Sequence, residues 1–101
     1  MIELIQSENA LEDVREIWQY IAERDIDAAD RVVRDIDCVY QRMREFPQIG
    51  RIRDDISSGL RSAISGKYVI FYQATATSIQ IVRVLHGARD IERVFKGTLQ
   101  P

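Results

Sequence analysis

A chain of 101 residues, 46% hydrophobic and 30% charged, has the size and composition of one globular domain with one core, spanning 1–101, and leaves no room for a second. Its formal net charge of −2 hides two unlike halves: residues 1–50 carry 6 Lys and Arg against 12 Asp and Glu, and residues 51–101 carry 8 against 4. One cysteine and one histidine exclude an internal disulfide and the usual zinc sets, and no run approaches the roughly 20 apolar residues that span a bilayer.

Residues 1–6 alternate, with Ile2, Leu4 and Gln6 set against Glu3 and Ile5, and read as a short strand without the basic stretch and apolar run of an export signal. A soluble protein of a reducing compartment, the cytoplasm, is therefore expected. Asn9 with Glu12 three residues on has the form of a capping box and predicts a helix start. Leu11, Val14, Ile17, Trp18 and Ile21 then recur at spacings of three and four, the stripe of an amphipathic helix running to about Arg24 with Trp18 in the core.

Asp27 is placed to cap a second helix, with Ile26 before it as a staple. Its stripe is Ala29, Val32, Val33, Ile36, Val39, Tyr40 and Met43, and it ends at Phe46 because a residue preceding proline, here Pro47, disfavours helical dihedrals. So short a connection makes the pair an antiparallel hairpin. Residues 47–58 read as a polar loop. The runs 59–65, 67–74 and 78–86 are rich in Ile, Val, Phe and Tyr and predict a three-stranded antiparallel meander, turned at Gly66 and at 75–78. Both alternating faces of 68–72 (YVIFY) are apolar, so the central strand needs cover on both sides, whereas one hairpin covers one. Ile91, Val94 and Phe95 fall at helical spacing and predict a short terminal helix.

Five runs stand in order along this framework: 17–22 (IWQYIA), 45–50 (EFPQIG), 59–61 (GLR), 68–72 (YVIFY) and 81–90 (IVRVLHGARD). Together they resemble the RelE/ParE toxin superfamily over nearly the whole chain, and the last run is most similar to ParE-type plasmid-stabilisation toxins. The resemblance implies an α+β fold: an antiparallel sheet joined at its side by the first strand, a helical hairpin on one face and a short C-terminal helix. It implies a type II toxin that inhibits DNA gyrase, a cognate antitoxin that wraps it and covers apolar surface, and assembly as a homodimer or a toxin–antitoxin heterotetramer.

The RelE branch instead cuts ribosome-bound mRNA without a metal, which requires a base for the 2′-hydroxyl, cations for phosphate and an acid for the leaving oxygen. Arg61 and Arg83 match the superfamily's basic sheet positions, and His86 is the residue type that titrates near neutrality. Lys67 and Lys96 are the only lysines, a poor supply for a surface that must neutralise ribosomal phosphates, so the ParE branch is favoured and the mRNA interferase is the alternative. A non-toxic remnant that only binds an antitoxin is a third reading.

The residues expected to carry toxicity or target contact are Arg61, Arg83, His86 and Arg89 with Ile91, Val94 and Phe95, all from the positive half. The plain structural alternatives are ion pairs for the arginines, for example with Asp90, and a hydrogen-bonded strand-end role for His86. Tyr20, Tyr40 and Tyr72 are the residues expected to meet the antitoxin, since tyrosine suits surfaces apolar at one end and wet at the other. Cys38 has no basic neighbour in sequence to activate it, and no cofactor or metal is expected.

Overall fold

The computed structural model describes residues 2–89, 91 and 93–95. Seven elements follow one another: β1 (Glu3–Gln6), α1 (Glu8–Ala22), α2 (Ile26–Glu45), β2 (Arg51–Ile52), β3 (Arg61–Ser65), β4 (Tyr68–Ala74) and β5 (Ser78–His86). Ile91 and residues 93–95 are helical. The five strands form one sheet in the order β1-β5-β4-β3-β2, with the meander antiparallel and β1 parallel to β5 along Glu3↔Ser78 to Gln6↔Ile81. This is the α+β arrangement that the resemblance implied.

The helices start earlier than the capping patterns indicated. Ser7, not Asn9, caps α1: its Oγ accepts from the Ala10 N–H at 2.9 Å and donates to the Val82 carbonyl at 2.8 Å. A hydroxyl both accepts and donates, so Ser7 starts the helix and fastens it to β5 at once. Asp25, not Asp27, caps α2 by accepting from the Ala28 N–H at 3.0 Å, and Ile26 is 59% exposed, not a buried staple. Trp18 is half-buried, and its indole N–H donates to Asp30 Oδ1 at 2.9 Å, lacing the hairpin together. Phe46 closes α2 ahead of Pro47 as expected.

The hairpin covers one face of the sheet, burying Ile36, Tyr40 and Met43 against Ile70, Tyr72, Ile79, Ile81 and Val84. A bulge in β5 makes this possible. Phe71 pairs with Arg83 but Tyr72 pairs with Ile81, so Val82 is an extra residue. Strict alternation from Ile79 and Ile81 would have driven Arg83 and Leu85 into the hairpin core; the bulge sends Val84 there instead and turns Leu85 to the other side, where Val82 also packs.

The second face is closed by the chain itself, which answers the need for cover that an antitoxin was expected to meet. Leu60, Phe71, Leu85 and Phe95 form a second core, flanked by Ile56 of the loop and by Ile91 and Val94. Phe95 meets Phe71 edge-on at 4.7 Å, and the Arg53 guanidinium lies 5.7 Å from the Phe71 ring centre.

Residues 47–52, read from sequence as loop, contain β2 and a knot. The buried Tyr72 hydroxyl accepts from the Gly50 N–H at 2.7 Å and donates to the Pro47 carbonyl at 3.0 Å, while Arg61 Nη1 donates to the Gly50 carbonyl at 2.8 Å. A Cβ on Gly50 would stand 2.6 Å from Tyr72 Cε1 and Oη and 2.9 Å from the Ser62 carbonyl. Gly50→Ala is therefore expected to lower stability by about 1–3 kcal/mol through overpacking, read as a drop in the urea midpoint without a change in slope.

Candidate functional site

Where β1 ends, the outer edge of β5 would be left with unpaired backbone, and α1 supplies the missing partner. Asp13 accepts from the Val84 N–H at 2.9 Å and forms a bidentate pair with Arg83, Nε to Oδ2 at 2.7 Å and Nη2 to Oδ1 at 2.9 Å. Both are largely buried, with side chains 8% exposed for Asp13 and 14% for Arg83. The hydrogen bond to Asp13 raises the Arg83 guanidinium above its ordinary value, against the pull of burial. Arg83 thus has the structural partner that was one of its two readings, although the carboxylate is Asp13; Asp90 lies outside the described residues.

Arg61 is also engaged internally, donating to the Gly50 carbonyl and, at 3.4 Å, to that of Gln48. It stands on β3 and Arg83 on β5, with β4 between them. The structure therefore does not bring the two arginines into one cluster.

His86 is exposed at the end of β5; its Nδ1 accepts from the Ala88 N–H at 3.0 Å, and its ring meets that of Tyr68 edge-on at 5.6 Å. Around it the turn end of the hairpin faces the β3–β4 turn and the end of β5 across a gap. A cleft of about 680 Å³ is lined by Tyr20, Val32, Asp35, Lys67, Tyr68 and His86 among others, and an adjoining one of about 330 Å³ adds Asp13, Glu16 and Arg89. Tyr20, Tyr68 and His86 belong to both. Tyr20 is 75% exposed, and burial, with Tyr20 nearby, raises the Tyr68 phenol above its ordinary value. An apolar floor of two tyrosines rimmed by Lys67, Arg89, Asp35 and Glu16 suits a protein segment with both apolar and charged side chains.

The other expected contact residues are placed differently. Tyr40 is 4% exposed and Tyr72 fully buried, so both belong to the core and neither presents surface to an antitoxin; of the three tyrosines only Tyr20 does. Tyr40 was expected to meet the antitoxin, yet its hydroxyl is buried with no hydrogen-bond partner among the described residues, and burial, with Asp13 and Asp37 adding to it, pushes its pKa far up. Phe95 is a wall of the second core, Ile91 and Val94 are half-buried beside it, and only Arg89 and His86 of the expected toxicity set are exposed. Cys38 is exposed and unpaired. Among the described residues no group of three or more His, Cys, Asp and Glu is placed to hold a metal ion, and no helix is long and apolar enough to cross a membrane.

Asp13 is the residue that sequence reading passed over. It is not part of the stripe read from Leu11, Val14, Ile17, Trp18 and Ile21, yet it lies three residues after the buried Ala10 and four before Ile17, which sets a carboxylate inside the buried face. That interruption was the available signal.

Known proteins agree with this architecture. The family described as ParE toxin of type II toxin-antitoxin system, parDE, matches residues 4–91. The chain is 34% identical over 82 residues to Toxin ParE1 of Mycobacterium tuberculosis, covering 79% of this chain and 84% of that one. It is 30% identical over 85 residues to Toxin ParE1 of Caulobacter vibrioides, covering 83% and 88%. A solved structure titled Chromosomal ParDE TA system from P. aeruginosa shares the fold at a TM-score of 0.71 and 20% identity, over 85% of this chain and 96% of that one. Strand order, hairpin and sequence converge, and the chain belongs to the ParE toxin family of type II toxin–antitoxin systems.

Proposed function

We propose that this toxin acts in the bacterial cytoplasm by binding DNA gyrase and stopping replication, without covalent chemistry of its own, and that a cognate antitoxin neutralises it by filling the Tyr20–His86 cleft. The observation that carries the reading is the way the basic residues are used. Arg61 and Arg83, the two arginines matched to the superfamily's basic sheet positions, are spent on backbone and carboxylate partners on opposite sides of β4, so the pair does not converge on one phosphate. What stays exposed, Tyr20, His86, Lys67 and Arg89, is binding chemistry.

Controlled expression in a bacterial host tests this, with DNA synthesis and message integrity followed separately through the first minutes of arrest. Early loss of DNA synthesis over intact messages is the expected result, and rapid cleavage of translated messages overturns it. His86→Gln gives a second readout. A binding toxin should keep most of its potency, whereas an interferase using His86 as acid or base would lose about 10²- to 10⁴-fold in cleavage rate.

A further inference from the structure

Among the described residues one edge of the sheet is left partly unpaired. The Arg53 N–H donates to the Leu60 carbonyl at 2.8 Å, so Leu60 turns its backbone groups outward from β3, and alternation does the same for Ser62 and Ile64. Ser62 is met by Arg51 of β2, but β2 pairs with β3 only through Arg51↔Ser62 and Ile52↔Arg61. Carried one step further, that register would set Ile49 against Ile64. It stops because Gly50 is drawn onto the Tyr72 hydroxyl. Ile64 is left with no strand opposite it among the described residues and a side chain 73% exposed.

Such edges are ordinarily blunted by a lysine, a proline or a bulge. Here the edge residue is an isoleucine, and it lies along a groove of about 440 Å³ that straddles the strand. On the hairpin side the groove is floored by Val39 and Ala63, and on the other side by Ile64 and Val69. Its charged lining residues are all cations: Arg42, Arg51 and Arg53. Arg53 is partly neutralised by Asp55, at 3.1 Å from each of two nitrogens. Arg42 and Arg51 are exposed, and neither has an ion-pair partner within 4 Å among the described residues.

We infer that the β3 edge at Ala63–Ser65 is a docking strip for an extended acidic peptide segment, which adds to the sheet as a further strand. Backbone groups of Ile64 hold the segment, its apolar side chains fall on the two floors, and its carboxylates meet Arg42 and Arg51. Charge decides against a second copy of this chain as the occupant, because a two-fold pairing about Ile64 would bring the same arginines together, with Asp55 already engaged by Arg53. The strip is separate from the Tyr20–His86 cleft and does not depend on what the toxin poisons.

The test uses a capped synthetic peptide of alternating glutamate and valine, titrated into the full chain and followed by calorimetry and by backbone amide shifts. Saturable binding that moves the amides of Ala63, Ile64 and Ser65 is expected, with a lysine–valine peptide at least about tenfold weaker. Ile64→Pro should abolish it, because that N–H points outward and its loss removes no bond to β4. Arg42→Ala combined with Arg51→Ala, both on the surface and without an ion-pair partner within 4 Å among the described residues, should weaken it about tenfold and flatten its salt dependence. Absence of binding, binding that moves other amides or ignores these substitutions, a free dimer joined through β3, or equal occupation of the same amides by a short single-stranded RNA would each overturn the inference.

Discussion

Asp13→Ala is expected to lower the stability of the folded chain by about 3–5 kcal/mol, the size of effect seen when one member of a buried ion pair is removed. Two groups lose their bonds to Asp13 together. The Arg83 guanidinium is left charged at a site where its side chain is 14% exposed, and the Val84 N–H has no strand to turn to because β1 ends at Gln6. Domains of this size are stable by about 5–15 kcal/mol, so the variant should sit near the threshold for folding at all. Asp13→Asn keeps an acceptor for Val84 and should fall in between. Arg83→Met in the Asp13→Ala background removes the guanidinium that Asp13 held and should recover part of the loss; with Arg83→Met alone and the parent it completes a cycle whose urea midpoints report a coupling energy. If Asp13→Ala costs no more than the roughly 0.5 kcal/mol of an ordinary surface change, the pair does not hold β5 to α1.

Phe95→Ala should be the second large effect, about 3–5 kcal/mol, since it empties a fully enclosed aromatic position against Phe71, Leu60 and Leu85. The consequence for function is direct. Because the terminal turn is a wall of the second core, a Phe95 variant will lose toxicity with its stability, and in proportion to it. Arg89→Ala changes an exposed side chain whose residue is bonded, among the described residues, through its backbone N–H to His86, so it should leave the denaturation midpoint within about 0.5 kcal/mol and report target contact alone. Thermal melts alongside growth assays of the two variants separate the roles. A Phe95→Ala protein that melts like the parent yet is harmless would show that Phe95 touches the target and does not wall the core.

The hairpin and meander were legible because period 3.6 and period 2 are properties of consecutive residues, and Pro47 ends α2 by local sterics alone. The helix starts were read two residues late in each case. Ser7 and Asn9 are both competent caps, as are Asp25 and Asp27, and the choice fell to tertiary facts: Val82 offers Ser7 a second bond. β2 has two residues and no period to read; the Arg53–Leu60 bond and the pull of Tyr72 on Gly50 place it. The site suffered most from the bulge at Val82, which decides on which side Arg83 and His86 emerge and which adds no mark to the sequence. The tyrosines show the same limit. In a strand apolar on both faces, composition does not distinguish a phenol aimed at solvent from one, like Tyr72, that anchors a loop from inside.

The parallel pairing of β1 with β5 also sets a clock. The bond from Ser7 to Val82 joins residues 75 apart, and the Asp13–Arg83 pair joins residues 70 apart. At about 5–20 residues per second, the strand that receives the first one leaves the ribosome roughly 4–15 s after it. The hairpin, made of near neighbours, can form during that interval, whereas the sheet must wait for its last strand. A nascent chain therefore has no closed fold until β5 has emerged, and its sheet is assembled only after both helices and the other four strands have been made.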